Sequence, residues 1–406
     1  MYDILGGLSV VEVSSFVASP TAGLYCAQFG AEVIRVDQIG GGQDFHRWPI
    51  TANQDSLSWE NLNRAKKSVA LDLTGKPGRE LLTELIRATG NLITNLPVGG
   101  FLGHDKLAEG RADLVTVRVM GWPDGAIALD YTANAAVGYA ALTGPLNDPA
   151  PVNHVLPAWD LLTGAYAAFA LLAAIRRREE TGLGGEVRLP LTDIAMGSAA
   201  NLGRVAEVLY DGRDRERLGN AVFGTIGRDF VTADGVRLMI VAINERHWAG
   251  LVKALDLAEP LAQLEALLGV RFAGDDSTRF RHREAIFALI EPRVSALAHA
   301  DLAALLDANA VVHGPYRTMP EAIEDPRLVG ANPMFARTEN NPSGFAYPAA
   351  GAFATLPALD RKVPAPAPRL GADSEQVLAE RLKLSSGEIA RLIDAGIVGT
   401  AKDSTA

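Results

Sequence analysis

Leu8-Ser9-Val10-Val11-Glu12-Val13, then Pro20 to Phe29, then Ala31-Glu32-Val33-Ile34-Arg35-Val36-Asp37 form the stretch that decides the fold. The first and last runs are short and rich in β-branched residues, which suits strands. The middle run reads as a helix that ends before Gly30, where a left-handed cap belongs. The alternation continues with strands at Ser68–Leu73, Asn91–Asn95 and Leu114–Met120, a helix over Gly78–Thr89 and a short helix near Asp105. Strands separated by single helices predict an α/β fold on a parallel sheet with right-handed crossovers.

Trp159 to Glu180 is the strongest helix signal, with Arg176, Arg177 and Arg178 near its C-terminal end, where cations suit the helix dipole. Glu186–Leu191 reads as another strand. The texture changes near Gly219, and Asp229–Ile243 carries Asp234-Gly235, a hairpin turn between two strands. Helical stretches follow from Glu245 to Ala308. This pattern places a smaller α+β domain at 222–318, with a large domain over 1–221 completed by 319–406. Near the C-terminus, Asn340–Gly344 forms a turn between two short strands. Pro364–Pro368 is an extended linker to a last helix pair, the second opened by a capping box at Ser385 to Glu388.

Composition excludes several classes. The 406 residues carry a net charge of −10, with 48% hydrophobic and 21% charged residues. An acidic chain lacks the basic face that nucleic acid or an anionic membrane requires. One cysteine, Cys26, rules out a disulfide framework and fits a reducing cytoplasm. The opening Met1-Tyr2-Asp3-Ile4 shows no signal peptide, and the longest uncharged apolar run, Leu161–Ile175, falls short of the roughly 20 residues that span a bilayer. A cytoplasmic protein is expected.

The loop after the first strand lacks Gly-x-Gly-x-x-Gly, and no P-loop occurs, so dinucleotide and P-loop chemistry are not expected. The histidines lack metal-ligand spacing, and Gly-x-Ser-x-Gly is missing; no metal and no serine nucleophile are expected. Carboxylates remain. Asp160 opens the long apolar helix, where an aspartate serves either as an N-cap or as a carboxylate nucleophile held ionised by the dipole. Asp130 reads as a loop carboxylate, suited to a turn or cap. Arg35, Arg47, Arg64, Lys66 and Lys67 cluster around the first strands, as solvated surface charges or as a cradle for the phosphates of one anionic ligand.

Segments spread over nearly the whole chain resemble the class III coenzyme A transferases, the family that also holds the α-methylacyl-CoA racemases. They include Gly30–Asp37, Gly42-Gln43-Asp44 with Arg47, Asn63–Leu73, Asp160–Gly164, Arg176–Val187 and Ala367–Gly371. The resemblance implies a Rossmann-like large domain, a smaller α+β domain and an interlocked homodimer. It implies an acyl-CoA substrate and no cofactor beyond coenzyme A itself. The family's catalytic aspartate falls on Asp160, and its CoA contacts fall on Val17, Ala18, Leu71, Asp72, Leu73, Asn95, Leu96 and Asp130. A phosphate-binding Arg of the family is Gln38 here and a Lys is Thr74, which leaves Arg47 and Lys66 as replacements. The racemase histidine position is Leu129, which removes half of an acid–base pair. Likeness to a subset of the family implies CoA transfer within one molecule, between the C1 and C4 carboxyls of a methyl-branched unsaturated C4 dicarboxylate. His154, Phe223, Gly224, Arg228 and Arg317 are then candidates around the acyl group. Intermolecular transfer between an acyl-CoA and a free acid is the alternative, followed by a racemase or a non-catalytic CoA-binding protein.

Overall fold

The structure is a computed structural model and describes residues 1–401. It divides into two compact units: Met1–Val137, His154–Gly212 and Pro326–Ala406 form one, Gly138–Asn153 and Arg213–Asp325 the other. The second unit is thus wider than the 222–318 span read from the sequence and includes a short excursion before the long helix.

The first unit follows the alternation of its sequence. Its elements are β1 (Ser9–Val13), α1 (Ala18–Gln28), β2 (Glu32–Gln38), α2 (Leu57–Leu62), β3 (Lys67–Leu71), α3 (Lys76–Thr89), β4 (Asn91–Thr94), α4 (His104–Ala108), β5 (Val115–Met120) and α5 (Asp130–Ala136). After α6 (Tyr139–Leu142), which belongs to the second unit, come α7 (Ala158–Thr181), β6 (Gly185–Pro190), α8 (Leu191–Asn201) and α9 (Arg204–Asp211). Six parallel strands run in the order β3-β2-β1-β4-β5-β6, and β12 (Val398–Gly399) closes the β3 edge antiparallel. The order reverses between β1 and β4, so the loops leaving these strands diverge and open a crevice, the usual ligand position in such sheets.

Strand alternation sorts the core onto two faces. Val11, Val13, Ile34 and Val36 pack with Leu82, Leu85 and Ile86 of α3. Val10 and Val33 pack with Ala22 and Cys26 of α1 and Ala167 and Leu171 of α7. The period of two places Glu12, Arg35 and Asp37 on this second face, under α1, all wholly or almost wholly buried. Arg35 bridges Glu12 at 2.9 Å, Asp37 at 2.7 Å and Asp44 at 3.4 Å. Lys66 Nζ donates to Glu12 at 2.8 Å, to the Pro20 carbonyl at 2.9 Å and to Asn63 at 2.9 Å. The charges read as a surface cluster are therefore largely internal: Arg35 and Lys66 cannot reach a phosphate without breaking buried pairs, at a cost of about 3–5 kcal/mol each.

Gly23 admits this network into the helix: a Cβ there would stand 1.8 Å from Glu12 Oε2. Gly164 does the same for the crossing of α1 and α7, its Cβ position lying 2.7 Å from the Ala18 carbonyl oxygen. Helix α7 is long and apolar enough to cross a membrane by length and composition, and 28% of its most apolar window is buried within this chain. One side packs on α1; Tyr166, Phe169 and Leu172 remain exposed. Cys26 is core, its thiol pushed up to about 12 by burial.

In the second unit, β7 (Ile226–Val231), β8 (Arg237–Ala242) and β9 (Val312–Pro315) form an antiparallel sheet, with the expected Asp234-Gly235 turn between the first two. Helices from Glu245 to Ala308 cover it around Trp248, Phe272 and Phe287. Back in the first unit, β10 (Phe335–Thr338) and β11 (Tyr347–Ala350) pair around the Asn340–Gly344 turn, and the last helix carries its capping box at Ser385. Gly23→Ala is expected to lower stability by about 3 kcal/mol, combining overpacking with displacement of a buried carboxylate, as measured by urea unfolding.

Candidate active site

The crevice between the β1 and β4 loops holds a cavity of about 600 Å³. Its walls come from both loops: Ser15 to Ala18 on one side, Asn95 to Gly99 on the other, with Leu129, Asp160 and Arg188 also lining it. Asn95 locks the two loops together. Its Oδ1 accepts from the Ser15 N–H at 3.2 Å and its Nδ2 donates to the Ser15 carbonyl at 3.0 Å. Thr94 adds a 2.7 Å bond from its hydroxyl to the Val13 carbonyl. Phe16 sits in the left-handed region at φ 68°, where a residue with a side chain is strained. Asp44 holds it there by accepting its N–H at 3.0 Å, and the Arg47 guanidinium lies 5.6 Å over its ring. The buried ion network thus reaches the cavity wall through Asp44.

Asp160 does not cap its helix. Pro157 occupies the N-cap position and Asp160 is the third residue of α7. The capping work falls to Asp130, which the sequence suggested as a loop residue and which the structure places at the start of α5. Asp130 Oδ2 accepts from the Trp159 N–H at 2.7 Å and the Asp160 N–H at 3.1 Å. Its Oδ1 bonds His154 Nε2. With the cap supplied by another carboxylate, the Asp160 side chain faces the cavity. Its pKa is pushed up to about 6, first by burial and then by the neighbouring Asp130 charge, while Arg47 opposes the shift.

The remaining sequence candidates separate. Val17, Ala18, Asn95 and Leu96 line the cavity beside Asp160. Leu71, Asp72 and Leu73 stand at the end of β3, outside the cavity lining. Gln38 shapes their turn, accepting the Leu73 N–H at 2.7 Å. Lys66 is enclosed by its three partners and does not reach the crevice; Arg47 keeps that option. Phe223, Gly224, Arg228 and Arg317 belong to the second unit. There Phe223 packs against Phe280 and under Arg215, and Gly224 takes φ 78°. Arg228 is stacked on Phe230 and Phe287 and pairs with Glu291, and Arg317 pairs with Asp325.

Three cations escaped the sequence reading; one of them, Arg118, lines the cavity wall and is buried against Glu186 at 2.7 Å. Arg188 lines the cavity and pairs with Glu186 at 2.6 Å. Arg79 stands beside the β3 turn, donating to the Leu73 carbonyl at 2.7 Å with its guanidinium 5.1 Å over Phe101. In sequence each is one arginine on a strand or an exposed helix face. Only the fold places Arg188 in the cavity wall and Arg79 beside the β3 turn.

Comparison with known proteins places the chain in context. CoA-transferase family III matches residues 5–374. A 2-methylfumaryl-CoA isomerase from Chloroflexus aurantiacus is 44% identical, covering 98% of this chain and 98% of that protein. The human succinyl-CoA:glutarate CoA-transferase is 24% identical, over 97% of this chain and 90% of its own length. Among solved structures, a CAIB/BAIF family protein from Brucella suis aligns with TM-score 0.76 and 26% identity, over 94% of this chain and all of the other.

A raised carboxyl pKa has a stability consequence. The folded state holds the Asp160 proton more tightly than the unfolded chain, so stability falls as pH rises from about 4 to about 6 and stays lowered above. Asp160→Asn is expected to stabilise the fold by about 2–3 kcal/mol at pH 8 and by little at pH 4, read by denaturant unfolding at the two pH values.

Proposed function

The chain belongs to CoA-transferase family III, and from that premise we propose that it transfers CoA between the C1 and C4 carboxyls of 2-methylfumaryl-CoA (mesaconyl-CoA), with Asp160 as nucleophile. The observation that carries this reading is the 44% identity, end to end, with a protein of that activity. The geometry supports it: a carboxylate desolvated at the base of a crevice, made more basic than an exposed aspartate.

The Asp160 carboxylate attacks the thioester carbonyl; the C–S bond breaks and a mixed anhydride forms with CoA thiolate released. The thiolate then attacks the aspartyl carbonyl, giving an aspartyl-CoA thioester and the free dicarboxylate. The other carboxylate of the same molecule attacks that thioester, and the two steps run in reverse. Overall one thioester replaces another, the higher-energy anhydride of each half-reaction being consumed by the CoA thiolate it released, so no further energy source is required, and covalent catalysis divides one slow exchange into faster ones. Because the acceptor carboxylate belongs to the retained acid, effective molarity favours it over dissolved acids.

The CoA chain runs between the β1 and β4 loops against Val17, Ala18, Asn95 and Leu96, and its phosphorylated end lies toward Leu71, Asp72 and Leu73. Arg47, Arg79 and Arg188 supply the cations that Gln38 and Thr74 do not. Phe223, Gly224, Arg228 and Arg317 remain candidates for the acyl group on the strength of the resemblance alone. The exposed Tyr166, Phe169 and Leu172 of α7 support a homodimer in which a second copy covers this apolar face. A buried free thiol and an acidic surface fit a cytoplasmic enzyme. Intermolecular transfer is the second reading, favoured by the succinyl-CoA:glutarate relative.

Asp160→Asn should lower turnover on the order of 10³-fold or more while leaving CoA binding in place, and hydroxylamine trapping with substrate should mark Asp160. Mixing the C1 thioester with labelled free mesaconate separates the two readings. Isomer formation without label in the CoA pool is the expected result; label entering as fast as isomer forms assigns the intermolecular route.

A further inference from the structure

Three atoms at the start of α7 draw on one carboxylate. Asp130, 2% exposed, uses Oδ2 for the Trp159 and Asp160 amides and Oδ1 for His154 Nε2. An ionised carboxylate only accepts, so the imidazole nitrogen donates. The ring is itself placed, edge-on to Tyr131 at 5.8 Å and tilted against Trp159 at 6.3 Å. Trp159 Nε1 donates to Asn134 Oδ1 at 3.1 Å, and the Tyr131 hydroxyl donates to the Val155 carbonyl. The segment 154–159 is thereby pinned to α5 from several sides.

We propose that His154 and Asp130 form a positioning pair: His154 orients and partly quenches the Asp130 carboxylate, and Asp130 in turn sets the place and basicity of the Asp160 nucleophile. The inference rests on Asp160 being the nucleophile, and it gives His154 a task other than contact with the acyl group. Geometry requires the chain of contacts. A histidine whose Nε2 serves Asp130 cannot offer that nitrogen to a substrate carboxylate, and Asp130, with both oxygens engaged, has one orientation. Its charge then stands within one helical turn of Asp160, where repulsion between like charges raises basicity. The opposing group is Arg47; Arg118, Arg188 and Asp124 also line the cavity, the two arginines both paired with Glu186. Tyr131 packs on the histidine from α5. A more basic carboxylate is a stronger nucleophile toward a thioester; Asp130, 2% exposed, outside the cavity lining and with both oxygens engaged, acts through Asp160 and not as the CoA contact that the resemblance implied.

The test follows the Asp160 carboxyl by carbon NMR in ¹³C-aspartate-labelled full-length protein, assigned through Asp160→Asn, alongside pH profiles of kcat and KM. His154→Ala removes the donor from Asp130; the Asp160 midpoint is expected to move up, and kcat to fall about tenfold at pH 6.5 and less at pH 8, with KM within about twofold. His154→Gln keeps an N–H for the same oxygen and is expected to recover most of kcat. Asp130→Asn is expected to move the midpoint down. An Asp160 midpoint unmoved in both His154→Ala and Asp130→Asn overturns the proposal, as does a loss of kcat equal at every pH. A tenfold rise in KM at unchanged kcat in His154→Ala also overturns it, by making His154 a substrate ligand. The titration is read without turnover, so a wild-type protein that moves no CoA defeats the functional reading while the NMR arm still decides the pair.

Discussion

The buried carboxylate of Glu12 is the constraint on which the large unit depends. A glutamate at the fourth residue of a central strand is forced by strand alternation to face α1, where no water can solvate it. Arg35 from β2 and Lys66 from the approach to β3 neutralise it, and each brings further partners: Asp37 and Asp44 on one side, Asn63 and the Pro20 carbonyl on the other. Three neighbouring strands and the first turn of α1 are thereby held in one register. A network of this kind adds little net stability over an apolar core, but breaking one member leaves a buried charge unpaired. Its contribution is to specify a single arrangement.

That arrangement extends to the crevice. Asp44 belongs to the network and also accepts the Phe16 amide, so the strained turn after β1 is fixed by the same electrostatics that hold the sheet. Asn95 then ties this turn to the loop after β4. The crevice exists because strand order reverses at β1 and β4; its walls are rigid because polar side chains span it.

The reacting end obeys a second division of labour. A helix N-terminus stabilises an anion, and a carboxylate there is ordinarily consumed as a cap. Here Asp130 takes the cap and Asp160, two residues inside the helix, keeps its carboxylate toward the cavity at a cost in desolvation. A carboxylate that destabilises the fold in its ionised form fits the proposed role, a group kept for reactivity rather than for folding.

Much of this was legible in the chain. β-branched runs alternating with single helices determined the parallel sheet, because crossover connections admit few other topologies. The Asp234-Gly235 hairpin and the capping box at Ser385 followed from local chemistry. The resemblance carried by ordered segments from Gly30 to Gly371 pointed to the family. The sequence could not tell which charges face inward. Arg35 and Lys66 were open to both a surface and a phosphate-binding reading because their strand phase relative to α1 is a tertiary fact, and Arg79 and Arg188 drew no reading because nothing local marks them. The sequence also left Asp160 open between capping α7 and serving as a nucleophile, and read Asp130 only as a turn or cap residue of its own loop. The fold settled it by bringing residues 130 and 159–160 together across 30 positions of chain, a contact that no local propensity encodes.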